Sequence, residues 1–158
     1  MLRLDPPPKQ PWFGPPDDEV GVAVHARMVL ASQPRLFIAV TDCVAYSSGF
    51  SLAIALRSKD YLHDAAFQIG IRFSDGQAAL AEGLLGDQDK LPGSVISLQA
   101  AGGGGGTANF TYFIWPLPPD GPVTITCNWA ARGLHAAGKE INGTAIRAAG
   151  LKSHSVWG

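Results

Sequence analysis

The stretch FSLAIALR, residues 50–57, decides the fold class of this chain. Large apolar residues alternate in it with small or polar ones: Phe50, Leu52, Ile54 and Leu56 against Ser51, Ala53, Ala55 and Arg57. A period of two places the two sets on opposite faces of a β-strand, and the apolar face must be buried against another layer. The stretch therefore predicts a strand in a sheet that packs on a second sheet or on helices.

Short apolar runs of the same kind, separated by turn residues, lie on both sides of this stretch. They cover residues 20–30, 35–46, 67–73, 77–80, 95–100, 109–117 and 123–129. The run 35–46 is apolar at both parities, which predicts a strand covered on both sides. Asp75-Gly76 predicts a hairpin turn. Only residues 143–149 indicate a helix, so we expect an all-β fold: an antiparallel two-sheet β-sandwich with a short C-terminal helix.

The chain of 158 residues fits one domain preceded by an arm. Residues 1–19 combine clustered prolines with an acidic run, a composition that favours an extended arm, and residues 20–158 hold the sandwich. Trp12 and Phe13 of the arm either pack onto the domain or dock a partner. The sequence leaves both open.

Composition and charge exclude several classes of function. An apolar fraction of 46% with 16% charged residues is typical of a globular protein. The net charge is -1 and the basic residues are scattered, which argues against nucleic acid as a partner. No window approaches the roughly 18 apolar residues of a membrane helix, and prolines interrupt residues 1–14 where a secretory signal would need an apolar run. We expect a cytoplasmic protein that does not contact a membrane.

Two local patterns imitate ligand sites. Residues 133–139, GLHAAGK, have the spacing of a phosphate-binding loop, but Glu140 replaces the Ser or Thr that would hold magnesium, so we interpret them as a plain loop and expect no cofactor. Asp60, His63 and Asp64 form the only local cluster of metal-ligand types. No fourth ligand accompanies them, so we expect a solvated turn and no metal site.

The chain shows no pattern for nucleophilic catalysis. The motif G-x-S-x-G is absent. Cys43 and Cys127 lie in apolar runs, where buried thiols are favoured over a disulfide and over a reactive thiolate. The sequence therefore favours a protein without enzyme activity, although a triad dispersed along the chain would leave no local pattern.

The aromatic run FTYFIW, residues 110–115, and the glycines before it form the candidate interaction surface. If Phe110, Tyr112 and Ile114 fill the core, Phe113 and Trp115 point outward, beside a glycine run, Gly102–Gly106, that we expect to be a mobile loop or a docking loop. The alternative is that a terminal segment carrying Trp157 covers the pair. The predicted surface consists of Tyr112, Phe113, Trp115, Gly103, Gly104 and Gly105.

Several short motifs follow one another along the chain: Tyr46-x-x-Gly49-Phe50, Phe73-Ser74-Asp75-Gly76, the glycine run, the aromatic strand ending in W-P-L-P-P-x-G-P at residues 115–122, and Cys127-x-Trp129 before a short helix. In this order they resemble the motifs of a family of small uncharacterised actinobacterial proteins. The resemblance implies a bacterial cytoplasmic setting. It implies no activity, substrate or cofactor, and no catalytic residue is carried over.

The sequence thus favours a non-catalytic β-sandwich that binds a protein partner or its own copy. The alternative is a small-ligand binding protein or enzyme with a pocket between the sheets or near the glycine run. Such a pocket would gather polar groups such as Asp42, Arg72 or His25.

Overall fold

The structure is a computed structural model that describes residues 10–62, 67–82 and 94–158. Within these ranges lie ten strands, one helix and a single 3-10 turn at Ala130–Arg132. The elements are β1 (Val22–Ala23), β2 (Met28–Gln33), β3 (Leu36–Ala45), β4 (Phe50–Ser58), β5 (Gln68–Arg72), β6 (Ala78–Glu82), β7 (Val95–Gly104), β8 (Thr107–Trp115), β9 (Pro122–Trp129), β10 (Leu134–Asn142) and α1 (Gly143–Lys152). No helix in the described part of the chain is long and apolar enough to cross a membrane.

The strands form two antiparallel sheets. Sheet A has the order β1-β3-β4-β8-β7, with β2 pairing along the same edge of β3 as β1, and sheet B has the order β10-β9-β5-β6. The expected all-β antiparallel two-sheet sandwich with a short C-terminal helix is confirmed. Asn142 caps that helix by accepting a hydrogen bond from the Ala145 amide at 2.9 Å.

The core lies between the sheets and follows the alternation in the sequence. In β4 the side chains of Phe50, Leu52, Ile54 and Leu56 are at most 1% exposed. They face the apolar residues of sheet B: Ile69, Ile71 and Phe73 from β5 and its end, and Val123, Ile125, Cys127 and Trp129 from β9. Burying each large side chain contributes about 1.5–3 kcal/mol, which makes this interior the main source of stability.

Strand β3 is apolar at both parities because it contains a bulge. The pairing with β4 shifts register between Val40 and Asp42. Residues of even number before the bulge, such as Ile38, and of odd number after it, such as Cys43, therefore face the same core. The predicted cover on both sides is wrong, since Phe37 is 41% exposed.

The bulge also explains why the predicted strand at residues 20–30 is two short strands. Strand β1 pairs with Val44 and Ala45 beyond the bulge, and β2 pairs with β3 from Val40 backwards. The extra residue of a bulge leaves its ladder interrupted. The strand along this edge is therefore interrupted opposite the bulge, between β1 and β2.

The glycine run is not a mobile loop. Gly102, Gly103 and Gly104 end β7 and pair with Asn109, Ala108 and Thr107 of β8. Gly105 and Gly106 make the turn, and their carbonyl oxygens accept hydrogen bonds from the amides of Leu62 and Ser58. The prediction of a mobile loop is wrong because the backbone hydrogen bonds with β8 offset the conformational entropy that is lost when these glycines are ordered.

Candidate binding groove and strand edge

Strand β8 directs its side chains as the alternation predicts. Phe110, Tyr112 and Ile114 belong to the core, and Phe113 and Trp115 lie on the outer face of sheet A. However, Phe113 is fully buried, and Tyr112 is 3% exposed. The predicted exposed aromatic surface is therefore wrong at both residues, because Tyr112 faces inward and Phe113 is covered.

Phe113 packs against Tyr46, whose ring lies 6.3 Å away, and the N-terminal arm covers Trp115. The Trp12 ring lies 5.8 Å from the Trp115 ring in an edge-to-face contact. Ser97 Oγ donates to the Trp12 carbonyl oxygen at 2.8 Å, and Gln99 Nε2 donates to the Phe13 carbonyl oxygen at 2.6 Å. The described part of the arm, residues 10–19, thus packs onto the domain. Trp157, the cover considered from the sequence, is 81% exposed.

Hydrogen bonds to Glu19 hold the C-terminal end of the arm against the domain. Glu19 Oε1 accepts hydrogen bonds from the Ser47 amide at 2.9 Å and from Ser153 Oγ at 2.7 Å. The Val156 amide donates to the Asp18 carbonyl oxygen at 2.8 Å. The arm is therefore bound to the β3–β4 turn and to the C-terminal tail at the same place.

A groove of about 340 Å³ lies on the outer face of sheet A, beside the arm. Its apolar walls are Pro15, Val44, Tyr46 and Ala53, and its polar groups are Asp42, Ser51, Gln99 and Thr111. Of the three polar residues that the sequence suggested for a pocket, only Asp42 lines this groove. Arg72 lies at a smaller depression of about 220 Å³ on sheet B, and His25 is exposed and lines neither. The groove was missed because its floor is made of small residues on the outward parity of β4.

The second candidate site is the outer edge of β7. Residues 99–104, with the sequence QAAGGG, are all exposed. No described strand pairs with this edge, since β7 ends the order of sheet A. The segment has no charge and no proline, two features that natural edge strands use to block pairing with another chain. It begins at a bulge, because the pairing with β8 shifts register between Leu98 and Ala100, so the regular part of the edge is residues 100–104.

The plain loop predicted at residues 133–139 is wrong, because all but Gly133 lie in a strand, and the structure describes only Asp60 of the predicted turn with His63 and Asp64. Residues 134–139 lie in β10, not in a loop or before a helix, because their backbone pairs with β9. Asp60 is paired with Arg35, its Oδ1 lying 2.7 Å from the guanidinium, while His63 and Asp64 lie outside the described residues. Among the residues described, no group of three or more His, Cys, Asp or Glu side chains is placed to hold a metal ion.

No family model, no curated protein and no solved structure matches this chain. Membership of the actinobacterial family stays a prediction from the motifs.

Proposed function

We propose that this protein is a non-catalytic β-sandwich that associates with a second copy of itself along the outer edge of β7. The observation that carries the proposal is the exposed, uncharged backbone of residues 99–104 at the end of sheet A. Alternate residues of an edge strand direct their N–H and C=O groups away from the neighbouring strand. An added strand would satisfy these groups and extend the sheet.

The composition of this edge favours a second copy as the partner. Two identical segments pair antiparallel about a two-fold axis, so that the same residues meet on both sides. A charged segment would repel its own copy in this arrangement, whereas residues 99–104 carry no charge.

Neighbouring parts of the fold support the same surface. Gly103, Gly104 and Gly105 of the predicted interaction surface belong to this edge and its turn. Trp115 contributes indirectly, because Trp12 of the arm packs on it. The arm then holds Phe13, which is 39% exposed, next to Gln99 of β7 through the hydrogen bond to the Phe13 carbonyl oxygen. The family resemblance adds a bacterial cytoplasmic setting to the proposal.

Sedimentation velocity over a range of concentrations tests the self-association. An edge of six residues buries little area, so we expect a weak dimer with a dissociation constant on the order of 100 µM. Gly102→Lys should leave only monomer, because two ammonium groups would meet near the axis. The monomer should accept this change, since a Cβ at Gly102 has no neighbour within 4 Å and its φ is not left-handed.

Gly138→Lys is the matched control. Gly138 lies in β10, an edge strand of sheet B, and a Cβ there makes only ordinary contacts, the nearest at 3.4 Å. This variant should dimerise like the parent protein, and an equimolar mixture of Gly102→Lys with Gly102→Glu should recover the dimer. The proposal is overturned if the parent protein stays monomeric at about 1 mM. In that case the partner of the β7 edge would be a strand of another protein. The proposal is also overturned if Gly102→Lys dimerises unchanged.

A further inference from the structure

The groove on sheet A exists because β4 carries short side chains between two neighbouring strands. Asp42, Ala53 and Thr111 form one row across β3, β4 and β8, and Val44, Ser51 and Phe113 form the next. Ala53 and Ser51 in the middle of these rows leave a trough, and Pro15 of the arm closes one side. A volume of about 340 Å³ lies within the range of small-molecule sites.

Asp42 places an unpaired carboxylate in this trough. The bulge in β3 turns its side chain to the outer face, where Oδ1 accepts a hydrogen bond from the Cys43 amide at 3.0 Å. The ion pairs of Asp60 with Arg35 and with Arg132 do not involve Asp42. Asp42 is exposed to solvent, so a cation can reach its carboxylate from outside and form a charge-assisted hydrogen bond with it.

We infer that the groove binds a small organic ammonium ion, with the ammonium group at Asp42 and the apolar body on Val44, Ala53 and Pro15. Tyr46 also lines the groove, and its aromatic ring can add to the binding of a cation. The Asp42 charge disfavours organic anions at the same place. This site is separate from the β7 edge and does not depend on self-association.

Titration calorimetry with 2-phenylethylamine as the ammonium probe and 2-phenylethanol as its neutral counterpart tests the inference. The parent protein should bind the amine more tightly than the alcohol. Asp42→Asn keeps the shape of the side chain and removes its charge, so we expect the affinity for the amine to fall about tenfold or more, and that for the alcohol to stay the same. Asp120→Asn, which changes an exposed carboxylate outside the groove, should alter neither affinity.

Ala53→Leu provides a test that does not involve charge. The larger side chain points to the outer face, so it should fill the trough and abolish binding of both probes while circular dichroism and thermal unfolding show the fold intact. Equal affinity of the parent for amine and alcohol would overturn the inference, as would no binding at about 1 mM. Unchanged amine binding in either Asp42→Asn or Ala53→Leu would place the ligand elsewhere and overturn it as well.

Discussion

Two adjacent glycines in β7 differ in what the fold requires of them. Gly102 has a backbone conformation outside the left-handed region, and a Cβ there would meet nothing within 4 Å. Gly103 has a φ of 139°, and a Cβ there would lie 2.2 Å from the Thr107 carbonyl oxygen. Only the second position therefore needs glycine, although both belong to the same uniform run of sequence.

This difference predicts opposite effects of the same substitution. Gly102→Ala should raise the free energy of unfolding by about 0.5–1 kcal/mol, because the unfolded chain loses conformational freedom. Gly103→Ala should lower it by about 1–3 kcal/mol through backbone strain and the clash with Thr107. Urea unfolding measures both changes in free energy, at protein concentrations low enough for the monomer to prevail. Effects of the same sign at the two positions would contradict the hairpin geometry.

At the scale of the elements, the arm depends on one carboxylate at its C-terminal end. Partial burial raises the pKa of Glu19. Hydrogen bonds from Ser47 and Ser153 and the charge of His154 lower it by more than burial raises it, so the pKa lies below its ordinary value of 4.5. A group whose pKa is depressed by folding stabilises the folded state fully above its unfolded pKa. That stabilisation is lost as the pH falls through the folded pKa.

Glu19→Gln should therefore destabilise the protein near neutral pH and make no difference in acid. We expect the gap in unfolding free energy between the parent and the variant to be present at about pH 7 and to close below about pH 4. Unfolding followed by tryptophan fluorescence measures this gap, since Trp12 packs on Trp115 in the same arm. Glu140→Gln, at an exposed position of β10, should follow the parent profile. A gap that is independent of pH would contradict the role of the Glu19 charge.

At the scale of the whole molecule, the two thiols report on the integrity of the sandwich. Cys43 in sheet A and Cys127 in sheet B are free, and neither is exposed. Burial, with a smaller effect from the Asp42 charge, raises the pKa of Cys43 to about 12, and burial raises that of Cys127 to about 11. Both groups are therefore neutral thiols at physiological pH, shielded from reagents.

Labelling of either thiol should require opening of the core. In the native protein at about pH 8, we expect both cysteines to react with iodoacetamide at one slow rate, and Gly102→Ala to slow the two equally. Ser32→Cys, at an exposed position of the edge strand β2, should react quickly and serves as the control. Rapid labelling of Cys43 or Cys127 alone would contradict a single cooperative core.

The sequence by itself determined the fold class, because the face on which a strand side chain lies follows from its own backbone. Residues 50–57 and 123–129 therefore predicted inward and outward positions correctly, as did Phe110 and Ile114 in β8. The same rule identified Phe113 and Trp115 as outward residues. It gave no information on what covers them.

Only the tertiary structure decided which outward faces are covered and which edges stay open. Trp12 meets Ser97 across 85 positions of the chain, and such packing has no local pattern in the sequence. The bulge between Val40 and Asp42 and the pairing of Gly102–Gly104 likewise depend on partner strands. The groove at Asp42 and the free edge of β7 arise from these long-range contacts, because hydrogen bonds and apolar burial between distant segments outweigh local preference.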